Sequence, residues 1–520
     1  MSKNIVKAAG AILIVNLIVK ILGFAREAFI ANGFGASWLT DAYQVAYTLP
    51  YFLQAILGFA LVTMVVPIMT RYFVDGKDDE AWSVANSLVN IIAILLAVVS
   101  VLGIIFAPQL VFVTAPNLPE KGTEMAIHLT RIMFPAVFFM GVGMVFTGIL
   151  NSRYRFVAGA AAPGISNIII ILSVVFFSAA GIFGLAWGTL ASFIGLAVIQ
   201  LPALYRAGFR YRFVCQWRHP AIIGAMKDIG PIVLGVAVNQ IYLAVNRIFA
   251  SGLSEGSISA LNYASKLMNL PVGIFVAAIA AAIYPMLSEK AMGKDMEGLA
   301  NTMSKGLGMV TLVALPAAAG LIVLRVPIVQ LLFQRGAFGY NDTLITAYAL
   351  LFLCVGLVFV AVNMVLTRAY YASGNVYTPV IVGVFSIGVN VLASFLLIKP
   401  LGHGGLALSN SLAAAANTVF LYIFFCRKLP AFSQSTFFAS IGKMLVATLV
   451  MGATAWGVKI FLAPLAARGS LGLLMIVGIA IIAGVIVYFI VAKILRVHEI
   501  DQLWAILNKK VLKRLTKQRA

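Results

Sequence analysis

Acidic residues are scarce in this chain: 16 Asp and Glu stand against 37 Lys and Arg among 520 residues, and all charged residues together make up only 10%. A soluble domain carries about 25% charged residues, so a water-soluble globular fold is excluded. Cysteine is scarcer still. Cys215, Cys354 and Cys426 have neither CxxC spacing nor a nearby histidine, which leaves no disulfide framework or metal site and marks them as small apolar fillers. The four histidines, His128, His219, His403 and His498, are scattered. A membrane glycosyltransferase or lipid phosphatase needs carboxylates, histidines or a metal gathered at an interface. None are gathered here, and the chain reads as a transporter rather than an enzyme.

What is present is hydrophobic: 62% of the residues. The uncharged runs 88–107, 165–204 and 472–492 meet or exceed the roughly 20 residues that a helix needs to cross about 30 Å of hydrocarbon. They lack the alternation of a barrel strand, so the fold class is an all-α integral membrane bundle. Lys3 and Lys7 precede an apolar stretch that continues past Arg26 without an Ala-x-Ala-like cleavage site; this is a first span, not a signal peptide. Punctuation by Gly, Pro and charge predicts fourteen transmembrane helices, centred near residues 19, 56, 95, 138, 168, 193, 239, 272, 313, 357, 388, 415, 449 and 482. Basic residues then sort by side. One set of alternate loops carries most of them, including Arg71, Arg153, Arg206, Arg210, Arg212, Arg218 and Arg427. The opposite set holds only Lys121, Arg325, Arg335, Lys399 and Arg468. Lys and Arg accumulate in cytoplasmic loops, which puts both termini in the cytoplasm and accounts for most of the net charge of +21. No nucleic-acid partner is needed; the phospholipid bilayer is one.

The chain also repeats itself. Gly184-Leu185-Ala186 returns as Gly405-Leu406-Ala407, Leu49-Pro50 as Leu270-Pro271, and Tyr43 as Tyr263. The expected organisation is an N-lobe over 1–217 (spans 1–6), a C-lobe over 218–430 (spans 7–12), two further spans over 431–497, and a basic amphipathic cytoplasmic tail over 498–520. Two such lobes are the usual machinery of alternating access.

Several charges fall inside the spans. Lys20 and Arg26 lie deep in span 1, and Arg247 and Lys266 lie in the corresponding spans of the second half. A Lys or Arg at a helix centre costs about 2.5–3.5 kcal/mol on insertion scales, so these residues should face protein or a watery cavity. Arg131, Arg368, Lys443 and Lys459 can snorkel to an interface. Intramembrane acids are few: Glu27, two turns from Lys20, and Asp41 at the entry to span 2. A cavity with excess positive charge suits a phosphate-bearing anion. Gly23, Pro50, Pro271 and Pro285 interrupt the same spans, as broken helices do at transporter binding sites.

These residues resemble a known family. Leu22-Gly23-Phe24-Ala25-Arg26-Glu27, Phe34-Gly35-Ala36 and Thr40-Asp41-Ala42-Tyr43 are similar to the first-span signature of the lipid II flippases of peptidoglycan synthesis, the MurJ or MviN family. Asn239-Gln240, Ile248-Phe249-Ala250-Ser251, Leu332-Phe333-Gln334-Arg335-Gly336-Ala337-Phe338 and Thr378-Pro379 also fit. The resemblance implies the multidrug/oligosaccharidyl-lipid/polysaccharide transporter fold, with two six-helix lobes in a V and a groove for the lipid tail beside the last two helices. It implies lipid II as substrate, a bacterial inner-membrane location, and other cell-wall synthesis and division proteins as partners. By position it implies roles for Lys20, Arg26, Asp41 and Lys266; with Glu27 and Gln54, which stand at positions of the same pattern, and Arg247, which lies inside a span, these make up the expected substrate site. Three departures stand out: Glu27 where Asp is usual, Gln54 where many members carry Arg, and Lys266 in place of Arg. Some members bind sodium through acidic and amide groups of spans 7, 11 and 12. The candidates here are Asn246, Asn390, Ser394 and Asn410, without a carboxylate, so no metal and no cofactor is expected, and coupling would be to membrane potential or a monovalent ion. The alternatives are an exporter of another polyprenyl-linked glycan and a drug or cation antiporter on the same fold. The antiporter would require intramembrane carboxylates.

Overall fold

The computed structural model describes residues 2–224, 240, 243–428 and 434–500. Within them the chain is helical, with no strand. It divides into two compact units, one of residues 1–259 with 335–339, the other of residues 260–334 with 340–520.

The first unit contains α1 (Ser2–Phe34), α2 (Trp38–Val74), α3 (Asp78–Ile105), α4 (Ala107–Thr114), α5 (Glu120–Met133), α6 (Ala136–Ser152), α7 (Phe156–Phe176), α8 (Gly181–Val198) and α9 (Leu201–Ala207). Leu61 and Val65 of α2, Leu88 and Ile91 of α3, and Ile149 of α6 form its main buried cluster. Lipid offers no hydrophobic drive for helices to associate, so close approach through small residues does the work. A Cβ at Gly141 of α6 would overlap Leu96 of α3, and one at Gly188 of α8 would overlap Ser173 of α7.

The second unit begins in α10 (Ser257–Pro271), which a π-helical turn at Val272–Val276 joins to α11 (Ala277–Met292). Pro271 has no N–H to donate, and one wide turn absorbs the lost bond. There follow α12 (Met296–Val323), α13 (Arg325–Phe333), α14 (Tyr340–Ala372), α15 (Tyr377–Leu401), α16 (His403–Lys428), α17 (Gln434–Phe461) and α18 (Gly469–Ile494). Leu357 and Leu366 of α14 pack with Leu421 of α16 and Leu307 of α12. After α18 the chain folds back: Val497 and Ile500 are buried with Leu312, Met444 and Tyr488, and Glu499 accepts a 2.6 Å hydrogen bond from Ser440 Oγ. The basic tail beyond residue 500 lies outside the described residues.

Among the described residues, eleven helices are long and apolar enough to cross a membrane, or twelve if the α5–α6 pair, bent by 41°, counts as one span. The expected number was fourteen. The span centred near residue 239 falls outside the described residues, and α1, which carries Lys20, Arg26 and Glu27, is not among the eleven. The other expected centres fall within the helical elements above.

Three hairpins turn on the same corner. α7 reaches α8 at Gly181, α15 reaches α16 at Gly402, and α17 reaches α18 at Gly469, where φ is +58°, +56° and +67°. Three residues later, a Cβ at Gly184, Gly405 or Gly472 would stand 2.6, 2.2 or 1.8 Å from the carbonyl oxygen of Phe177, Leu397 or Leu465. A side chain at the first glycine would strain the backbone, and one at the second would strike the backbone just before the corner. The repeated Gly184-Leu185-Ala186 and Gly405-Leu406-Ala407 therefore mark one corner in two places.

Candidate functional site

α1 carries Lys20 and Arg26 about one and two-thirds helical turns from one another, and its neighbour decides what surrounds them. α1 packs along α7, where Gly164 lets Val19 approach to 3.2 Å of a would-be Cβ and Gly33 does the same for Val174. Asn167 of α7 faces this seam. Its side-chain oxygen accepts from Arg26 Nη1 at 3.2 Å, and its amide nitrogen donates to the carbonyl of Val19 at 3.4 Å. The other side of the guanidinium meets the carboxylate of Glu27 in an ion pair, and Tyr47 of α2 hydrogen bonds to it.

The pair is nearly dry: the Arg26 and Glu27 side chains are 15% and 3% exposed. Burying an ion pair recovers its desolvation cost only when geometry is good and remaining donors are satisfied. Here one donor is left over. Arg26 Nε is buried and has no hydrogen-bond partner. Arg26 is thus fixed from three directions, with an N–H still available to an acceptor. Glu27 offsets the charge of Arg26, and Lys20, on the same helix, is exposed.

Asp41 is placed differently. It lies in the first turn of α2, is 4% exposed, and faces the start of α10. Its carboxylate accepts the backbone N–H of Gly256 and of Ser259, each at 2.8 Å, and the Ser259 hydroxyl. Those N–H groups are at a helix N-terminus, where four donors lack intrahelical partners and the dipole favours an anion. Arg247 acts on the same carboxylate through its charge. Asp41 is therefore engaged as a helix cap. Asn32, at the far end of α1, makes a similar junction: its carbonyl accepts from Ala337 N at 2.9 Å. Gly336, with φ at +53°, lies so close that a Cβ would stand 2.4 Å from that oxygen.

Gln54 is partly buried on α2. Lys266 is half-buried on α10 in the second unit, between the buried Tyr263 and Leu267. The structure thus joins Arg26 to Glu27 and Asp41 to the α10 terminus. Asn167, Tyr47 and Ser259 were not singled out in the sequence. The available signal for Asn167 was an amide inside an uncharged run, the kind of residue that bonds across helices.

The sodium candidates do not fit a cation site as they stand. Asn390 and Ser394 are fully buried on α15. Asn390 Nδ2 donates to Asn410 Oδ1 at 3.0 Å, which leaves Asn390 Oδ1 and Ser394 Oγ without partners. Two neutral oxygens one turn apart fall short of the oxygen shell, usually with carboxylates, that hard cations take. No group of three His, Cys, Asp or Glu able to hold a metal exists among the described residues. Asn246 belongs to the other unit.

Comparison with known proteins bears on the whole chain. Residues 30–498 match the family described as lipid II flippase MurJ. A protein of Buchnera aphidicola from Acyrthosiphon pisum, named probable lipid II flippase MurJ, is 31% identical over 86% of this chain and 89% of its own. The lipid II flippase MurJ of Burkholderia cenocepacia is 29% identical over 78% and 81%. A solved lipid II flippase MurJ in an inward closed conformation superposes with a TM-score of 0.77 at 25% identity, covering 93% of this chain and 98% of that one. A multidrug resistance MATE family transporter matches at 0.67 and 17% identity, over 82% and 99%, a likeness of fold alone.

Proposed function

Because the chain belongs to the lipid II flippase MurJ family, we propose that it carries lipid II, a glycan precursor linked through a diphosphate to a polyprenyl chain, from the cytoplasmic to the periplasmic leaflet for peptidoglycan synthesis. It acts as a transporter by alternating access and makes or breaks no covalent bond. The observation that supports the chemistry is Arg26: a buried guanidinium, held by Glu27 and Asn167, with its Nε–H unpaired. Guanidinium presents donors in a rigid fork that matches phosphate oxygens, whereas an ammonium offers only charge. Arg26 and Lys20 would bind the diphosphate, with Lys266 and Arg247 as further basic residues and Gln54 as a neutral donor. The polyprenyl tail would stay in lipid beside α17 and α18.

A substrate can shift a two-state transporter only by binding one state better than the other. A diphosphate held more tightly in the closed state would drive closure, and the return needs another bias. Membrane potential supplies about 2.3 kcal/mol per elementary charge per 100 mV, enough to move a balanced equilibrium. The basic loops support a bacterial inner-membrane protein with both termini in the cytoplasm.

The test is translocation of labelled lipid II by the purified protein in vesicles. Arg26→Ala should abolish it with the protein still inserted and monodisperse, Arg26→Lys should be partly active, and Lys266→Ala should behave like Arg26→Ala. Normal rates in both alanine variants would refute the diphosphate clamp. An unmodified protein that moved a different polyprenyl-diphosphate glycan and left lipid II behind would refute the substrate.

A further inference from the structure

Between α9 and residue 220 the first unit runs an extended segment that pairs with no strand. Its backbone bonds instead to side chains of α3. Asn86 donates to the carbonyl of Arg210 at 3.0 Å and accepts the N–H of Arg212 at 2.7 Å. Asn90 donates to the carbonyls of Arg212 and Val214 at 3.1 and 3.0 Å, and Ser87 accepts from Gln216 N at 3.3 Å. One turn of helix, through two amides, thus does what the edge of a sheet would do. Buried Phe209 pins the start of the segment against Trp82, ring to ring at 6.0 Å.

With the backbone so occupied, the side chains are displayed. Tyr211, Phe213 and Trp217 are 57%, 74% and 48% exposed. Arg210, Arg212 and Arg218 alternate with them, and residues 201–227 contain no acid. Arg210 is used locally, donating to the carbonyls of Tyr205 and Phe209. Arg212 and Arg218 have no side-chain partner among the described residues. Of the three acids in the first turn of α3, Asp78 pairs with Arg153 and Glu80 with Lys77 and His219, while Asp79 is exposed and pairs with neither arginine. Arg218 and His219 also line a shallow cleft of about 540 Å³ with Cys215, Gln216 and Trp217.

Large aromatics left in the open beside unpaired arginines are what a membrane interface selects: rings settle at the headgroup level, and cations face anionic lipid. The depth agrees, since Asn86 and Asn90 flank Leu88, the first residue of the apolar run of α3. We propose that residues 210–219 form a binding site for the phosphate headgroups of anionic phospholipids. Arg212 and Arg218 bind the phosphates, while Tyr211, Phe213 and Trp217 enter the boundary between headgroups and acyl chains. Guanidinium bonding to phosphate oxygens supplies the preference for anionic lipid, and the rings fix the depth.

The experiment uses the full chain in lipid nanodiscs, with Cys215, Cys354 and Cys426 changed to Ala and a fluorophore on Gln216→Cys. The quenchers are brominated phosphatidylglycerol or brominated phosphatidylcholine at equal mole fraction. Phosphatidylglycerol should quench several-fold more strongly. In Arg212→Gln/Arg218→Gln the two lipids should quench nearly equally, while Arg212→Lys/Arg218→Lys, which retains the charge, should retain most of the preference. Since neither arginine side chain supports the segment, the glutamine variant should melt like its parent. Equal quenching by both lipids with the arginines intact would overturn headgroup recognition. No quenching by either would show that the segment faces water or a protein partner, and displacement by millimolar inorganic phosphate would show a free-phosphate site; each outcome would overturn the proposal.

Discussion

Arg26 and Glu27 are adjacent in sequence, and adjacent helical residues point about 100° apart. That they meet depends on the length of both side chains and on Asn167, which holds the guanidinium from the other side. The cation could be read from the sequence because charge inside an apolar run is conspicuous; its amide partner, 141 residues away, could not, because nothing local relates α1 to α7. The pairing predicts a sign for a double-mutant cycle. Removing one member of a buried pair costs about 3–5 kcal/mol, whereas removing both is often nearly neutral. Glu27→Ala should therefore lower the melting temperature of the purified protein more than Arg26→Ala/Glu27→Ala does. Additive losses would show that the two do not act as a pair.

At the scale of elements, the positions of the spans were legible because uninterrupted hydrophobicity over a membrane thickness has few other readings. How their ends are fixed was not. Asp41 is conspicuous in the sequence from its place in a motif, but that motif does not show that its carboxylate closes the N-terminus of α10. A cap is worth about 1–2 kcal/mol, more when charged and buried. Asp41→Ala should cost that much in thermal stability in detergent with or without substrate. Asp41→Asn, which retains an acceptor oxygen, should lose less. Repetition of Gly-Leu-Ala signalled duplication, but sequence alone did not show that each copy sits where a helix end comes within van der Waals contact. Gly184→Ala and Gly405→Ala should lower the yield of folded protein, measured as the monodisperse fraction after extraction. Gly383→Ala in mid-α15, where a Cβ meets nothing within 4 Å, should not.

For the whole molecule, the proposed sidedness rests on loop charge. Cysteines placed at Asp79 and at Glu120, both exposed, should differ: an impermeant maleimide added outside cells should label Glu120→Cys and spare Asp79→Cys. The reverse pattern would invert the topology. The residue Ser433, the natural probe between spans 12 and 13, lies outside the described residues. The proposed coupling to membrane potential would depend on charge as well. Since Glu27 neutralises Arg26, Lys20→Gln should flatten the dependence of lipid II transport on an imposed diffusion potential, and Glu27→Gln, which adds a net positive charge, should steepen it. Identical dependence in both variants would separate transport from the field.

The glycine corners at Gly181, Gly402 and Gly469 bear on how the protein is made. Each joins two consecutive helices through one positive φ and one close contact with the backbone just before the corner. Such a pair can close as soon as its second helix has left the ribosome, before the partners that will bury its polar residues exist. Biogenesis can then proceed in paired insertions, and the last hairpin, α17 with α18, can enter the bilayer as a finished piece and dock onto α12 afterwards.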